Sequence, residues 1–105
     1  MPVKSPGRET LVLTLPGEPA LARLARLVAS HFLRQNGVKA AAARRGALAV
    51  EKGFRTLLRA AARSGRSGRA LVLVLQPHPA FLEVIGRARG GPKTRLLRMV
   101  RPRPA

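Results

Sequence analysis

Cysteine, aspartate, tryptophan and tyrosine are all absent from this chain of 105 residues. Without thiols there is no disulfide and no thiolate metal site, which suits a reducing compartment and sets the expectation of a cytoplasmic location. Without Asp, the acidic complement is four glutamates, Glu9, Glu18, Glu51 and Glu83. Most of the carboxylate chemistry of a hydrolase or a Mg²⁺ site is therefore missing, and a Ser-His-Asp set cannot be assembled. The aromatic residues are Phe32, Phe54 and Phe81 alone, so the core is expected to be aliphatic, built from Ala, Leu and Val. No run approaches the roughly 18 apolar residues of a membrane span. Met1 to Gly7 carries no signal-peptide apolar region. A membrane partner is not expected.

Basic residues dominate what is there. Lys and Arg number 21 against the four acids, for a formal net charge of +17. Such a charge opposes compactness by self-repulsion, so it points to an anionic partner. Part of the Arg excess also fits a thermostable or high-GC composition. The length suits one domain with a modest core, and the apolar residues fall in patterned blocks rather than in a disordered tract.

Residues 10–15 alternate as a strand and stop at Pro16-Gly17. Glu18-Pro19 opens a helix with an apolar stripe at Leu21, Leu24, Ala25, Val28 and Phe32, and with Arg23, Arg26, Ser30 and Arg34 on its other side. Asn36-Gly37 supplies its stop. A second helical block runs from about Lys39 to Arg63, with Ala43, Ala47, Val50, Phe54, Leu57, Leu58 and Ala61 inward. Arg45, Lys52, Arg55, Arg59 and Arg63 form a basic stripe beside them, and Gly46 is a point where the block could split. Residues 64–68 read as a loop. Residues 70–75 are continuously apolar, as a strand covered on both faces would be. Pro77-His78-Pro79 turns into a strand from Phe81 to Ile85 that can extend to Arg89, and Gly90-Gly91-Pro92 turns into a last strand over 94–100. The order β-α-α-β-β-β predicts an α+β two-layer sandwich, with two helices on a mostly antiparallel four-stranded sheet. The expected division is an arm at 1–9, a domain at 10–100 and a basic tail at 101–105.

This order, together with the segment Leu48-Ala49-Val50-Glu51, resembles the GHKL or histidine-kinase-like ATPases, specifically their small anti-sigma-factor-like members. In that family the helix Glu activates water and an Asn four residues on helps hold Mg²⁺. The resemblance places Glu51 at the first position and Arg55 at the second, and a guanidinium has no lone pair for a metal. The family's adenine-reading Asp would fall in Gly86 to Pro92, where there is no carboxylate, and no Gly-rich lid follows. The resemblance thus implies the fold without ATP hydrolysis, with no cofactor. Any residual nucleotide binding would be independent of Mg²⁺, with Arg55 standing near the metal's place. A fainter resemblance to Alba-type chromatin proteins, carried by 36–39 and 44–46, requires residues 38–43 to be a strand, and four consecutive alanines suit one poorly.

The candidate anion- or phosphate-binding residues are Arg55, Arg59, Arg66, Arg69, Arg87, Arg89, Lys93 and Arg95. Arg55 also stands four residues after Glu51, the favourable order for a helical ion pair. The others lie mainly in two Gly-containing basic loops, where backbone N–H groups and bidentate guanidinium groups can meet phosphate, although neither loop is a P-loop. His31 and His78 lack companions at metal-ligand spacing and read as structural, and Glu83 as an edge charge or Arg partner. With all three Phe residues assigned to core faces, base stacking on aromatic platforms is not expected. Two partner classes remain. The first is an acidic protein, met by a non-catalytic regulatory module through its helical layer or sheet edge. The second is a nucleic acid, met through backbone-directed, sequence-nonspecific contacts. Either admits a homodimer.

Overall fold

The computed structural model describes residues 9–66 and 68–102, so residues 1–8 of the expected arm and 103–105 of the expected tail lie outside the described residues. Along the chain come β1 (Leu11–Leu15), a 3-10 turn (Pro19–Leu21), α1 (Ala22–Gln35), α2 (Ala40–Arg63), β2 (Leu71–Pro77), β3 (Phe81–Ala88) and β4 (Thr94–Val100). The four strands form one antiparallel sheet in the order β1-β2-β3-β4, and the helical pair is carried by the connection from β1 to β2. This is the α+β two-layer arrangement predicted from the element order.

Local chemistry sets the element ends. Pro19 enters the first turn with its φ already suited to a helix. Gly37 and Gly65 take φ of +86° and +74°, the left-handed conformation that side chains resist. In each case the glycine amide and the one after it bond back into the last turn: Gly37 N–H to Arg34 O and Val38 N–H to Leu33 O, then Gly65 N–H to Ala62 O and Arg66 N–H to Ala61 O. This is the Schellman closure, which satisfies carbonyls that a helix end leaves orphaned. The four alanines at 40–43 begin α2, in keeping with their high helix propensity. The strand that an Alba-type arrangement needs at 38–43 is therefore not formed, and Gly46 does not split the helix.

The core lies between the layers. From α1 it takes Ala22, Ala25, Ala29, Phe32 and Leu33; from α2 it takes Ala43, Gly46, Ala47, Val50, Phe54, Leu57 and Ala61. The sheet supplies Leu71, Leu73 and Leu75 of β2, with Leu82, Val84 and Ala88 of β3, all buried. At β4, Val84 pairs with Leu97 but Ile85 pairs with Arg95, so a bulge leaves Leu96 as an extra residue. Leu96 and its neighbour Leu97 then both reach α2, Leu96 against Gly53 and Leu97 against Gly46. A bulge is the ordinary way for two successive strand residues to share a face.

Two sequence expectations need correction. The buried stripe of α1 is turned away from the predicted one: Leu24 is 41% exposed, while Ala22, Ala29 and Leu33 are buried. Ala22 and Ala29 let the helix axis approach its neighbours, and Leu33 fills the space beside them at the end of the helix. Likewise β2 is covered on one face only. Val72 and Val74 alternate with the buried leucines and stay partly exposed, because nothing packs on the far side of the sheet among the described residues.

Gly86 marks the tightest point of the helix–sheet contact. A Cβ there would meet Leu57 Cδ1 at 2.6 Å, with Leu73 Cδ2 and Leu96 Cδ1 each at 3.0 Å. Gly86→Val is expected to lower unfolding stability by about 1–3 kcal/mol, the usual cost of overpacking. Urea denaturation checks this, and an unchanged midpoint would mean that the leucines have room to yield.

Candidate functional site

The charge on the helical layer follows from the packing beneath it. Alanines and glycines take many of the inward positions, beside Phe32, Leu33, Val50, Phe54 and Leu57, and arginines with three leucines are left on the outside. Leu24 (41%), Leu27 (61%) and Leu48 (46%) are all exposed there. Leu27 and Leu48 flank a groove of about 630 Å³ between α1 and α2, with the small residues Ser30, Ala40 and Ala47 in its lining. Arg26, Arg34 and Arg44 complete the lining.

Glu51 pairs with Arg26, one of the residues that line this groove. Its side chain is 16% exposed, with Oε1 3.3 Å from Arg26 Nη1 on α1 and Oε2 3.6 Å from Arg55 Nη2 on its own helix. The Oε1 contact is a charge pair without hydrogen-bond geometry. The helical pairing expected with Arg55 is present, and the bridge to Arg26 across the helices adds a link that sequence spacing did not show. A residue on another element has no fixed offset to read. Arg34 and Arg44 have no acidic partner among the described residues.

The other candidate residues fall into three places. Arg59 is exposed on α2, and its Nη2 donates to Thr56 Oγ1 at 3.4 Å. Arg66, Arg69 and Arg89 gather at one end of the sandwich, as the two basic loops meet there. Arg69 Nη1 donates to Arg89 O at 3.3 Å, and the Arg66 side chain runs beside Gly91. Lys93 lies in the same turn between β3 and β4, exposed. Arg87 is exposed on β3, and Arg95 is tied to Glu83 Oε2 at 3.3 Å through its Nε. Arg55 and Arg95 therefore already have carboxylate partners.

The uncovered sheet face carries a cluster that corrects the assignment of Phe81. Phe32 and Phe54 are buried, but Phe81 lies on the open face and is only partly covered. The His78 ring stacks on it at 4.2 Å between centroids, and the Arg98 guanidinium sits 4.5 Å from its centroid. Phe81 is therefore already engaged by two neighbouring side chains. His78 Nε2 also lies 3.3 Å from Glu83 Oε1, which makes it part of a surface network. Its structural reading rests on those contacts.

Among the described residues no group of three His, Cys, Asp or Glu could hold a metal ion. No helix among the described residues is long and apolar enough to cross a membrane. Comparison with family models, with curated proteins and with solved structures returns no match, so neither resemblance drawn from the sequence gains support.

Ion pairs in this chain draw on Glu51 and Glu83 alone among the described residues, against a formal +17. Repulsion between exposed cations should then outweigh attraction in the folded state. Raising salt from about 0.1 M to about 1 M shortens the screening length from roughly 10 Å to roughly 3 Å, so the melting temperature followed by circular dichroism is expected to rise. A flat or falling melting temperature would show that the few ion pairs dominate.

Proposed function

We propose that this chain is a non-catalytic binding module whose partner is an acidic protein, engaged through the outer face of the helical layer. The observation that carries the reading is the exposure of Leu24, Leu27 and Leu48 among arginines, two of which, Arg34 and Arg44, have no acidic partner among the described residues. A partner that offers carboxylates together with apolar side chains suits such a surface. A phosphodiester backbone answers the arginines and leaves the leucines in water. A degenerate anti-sigma-factor-like ATPase domain remains the family reading, and the substitution at Arg55 supports loss of catalysis within it. The two oxygens of Glu51 both face guanidinium groups, which supports a role in holding α1 to α2. The absence of cysteine keeps a cytoplasmic setting within the same reading.

Nucleic-acid binding has its own supporting observation, the meeting of Arg66, Arg69 and Arg89 at one end of the sandwich. It would be backbone-directed, with the steep salt dependence of counterion release.

Fluorescence anisotropy against an unrelated DNA duplex and against a polyglutamate–leucine copolymer separates the two. At about 0.15 M salt, duplex affinity is expected to be no tighter than the roughly 10⁻⁴–10⁻⁶ M of nonspecific binding, while the acidic apolar polymer binds more tightly. Tighter duplex binding at that salt would overturn the protein-partner reading. Titration with ATP in the presence and absence of chelator is expected to give no Mg²⁺-dependent binding and no hydrolysis, and a requirement for Mg²⁺ would contradict the non-catalytic reading.

A further inference from the structure

The groove between α1 and α2 is specific enough to name the shape of what fills it. From Arg26 to Arg34 is eight residues of α1, or about 12 Å at about 1.5 Å per residue. That is roughly two turns of helix. Leu27 of α1 and Leu48 of α2 both line the groove together with small residues, Arg34 and Arg44 lie toward the α1–α2 connection, and the Arg26–Glu51 pair lies farther from it.

Resting on the acidic-partner reading above, we propose that this groove seats an acidic amphipathic helix of a partner protein. Its apolar residues enter between Leu27 and Leu48, and its carboxylates reach Arg34 and Arg44. Three physical points select this occupant. An extended strand is favoured where a sheet edge offers a row of unpaired backbone groups, and a groove between two helices offers no such row, because their interior N–H and C=O groups are already paired. A nucleic acid would leave the leucines without apolar contact. A second copy of this chain would bring arginines against arginines at +17 per chain. An acidic helix with an apolar residue every three or four positions satisfies the leucines and the arginines together.

The test is selection from a display library of short helical peptides, unbiased in charge, at about 0.15 M salt. The best-enriched peptide is then measured by anisotropy. Enriched sequences are expected to carry Asp or Glu beside Leu, Ile, Phe or Met spaced three and four apart. Leu27→Ser with Leu48→Ser should weaken the selected peptide at least about tenfold, equivalent to roughly 1.4 kcal/mol. Val12→Ser, exposed on the opposite sheet face, should leave it unchanged. Arg34→Glu with Arg44→Glu should weaken binding more than Arg66→Glu with Arg69→Glu, which makes the same change in net charge elsewhere. Thermal melts confirm that each variant folds. If the two charge reversals are equivalent, or the leucine pair has no effect, the groove is not the site, although the acidic-partner reading survives. If the enriched peptides are not acidic, that reading fails as well.

Discussion

Close contact between the helices and the sheet is the constraint from which the rest of this structure follows. α1 meets its neighbours through Ala22, Ala25 and Ala29, and α2 through Ala43, Gly46 and Ala47. Gly53 and Gly86 receive Leu96 and Leu57 where a Cβ would collide. Small inward residues bring the layers together, and Phe32 and Phe54 then fill the middle with Leu33, Val50 and the leucines of β2 and β3. The cost is that bulk elsewhere on the helices has no inward place. Leu24, Leu27 and Leu48 are thereby exposed, and the surface that carries the proposed function is a consequence of how the core is packed.

Charge acts on top of this geometry. Glu51 and Glu83 sit on opposite layers, one on the helices with Arg26 and Arg55 and one on the open sheet face with Arg95 and the His78 ring. Those pairs lock Arg26, Arg55 and Arg95 into local contacts. Arg34 and Arg44 on the helical face, with Arg66, Arg69 and Arg89 at the loop end, are left facing solvent or neighbouring backbone. The molecule thus has two cationic regions of different character. One is mixed with exposed leucines and the other is not, and that difference favours a protein partner at the first over a polyanion at the second.

The element order was legible because its signals are local. Pro16-Gly17, Asn36-Gly37 and Gly90-Gly91-Pro92 end or begin elements wherever the rest of the chain goes, and 94–100 is a strand as predicted. What escaped was every feature that depends on which neighbour comes close. A leucine-weighted stripe misplaced the buried face of α1, because axis separation rather than hydrophobicity alone decides between Ala and Leu. The run of alternating Leu and Val in β2 cannot say which of its faces is covered. Phe81 looked like core because aromatic residues are costly to expose, and its covering by His78 and Arg98 is a tertiary fact. Of the candidate anion-binding residues, those of the two loops are brought side by side by the fold, with Arg69 Nη1 reaching Arg89 O. The leucines and Arg34 and Arg44 of the groove were not singled out, although an α1 with more apolar residues than one face can hold was the available signal.

The proposed partner is held on the helical face by leucine and arginine together. Amide chemical-shift mapping, with the ¹⁵N-labelled protein titrated with an acidic helical peptide, tests it most directly. The account predicts that the largest shifts fall within 24–34 and 44–52. Shifts concentrated at 66–69 and 87–95, or spread evenly over all the basic positions, would contradict it.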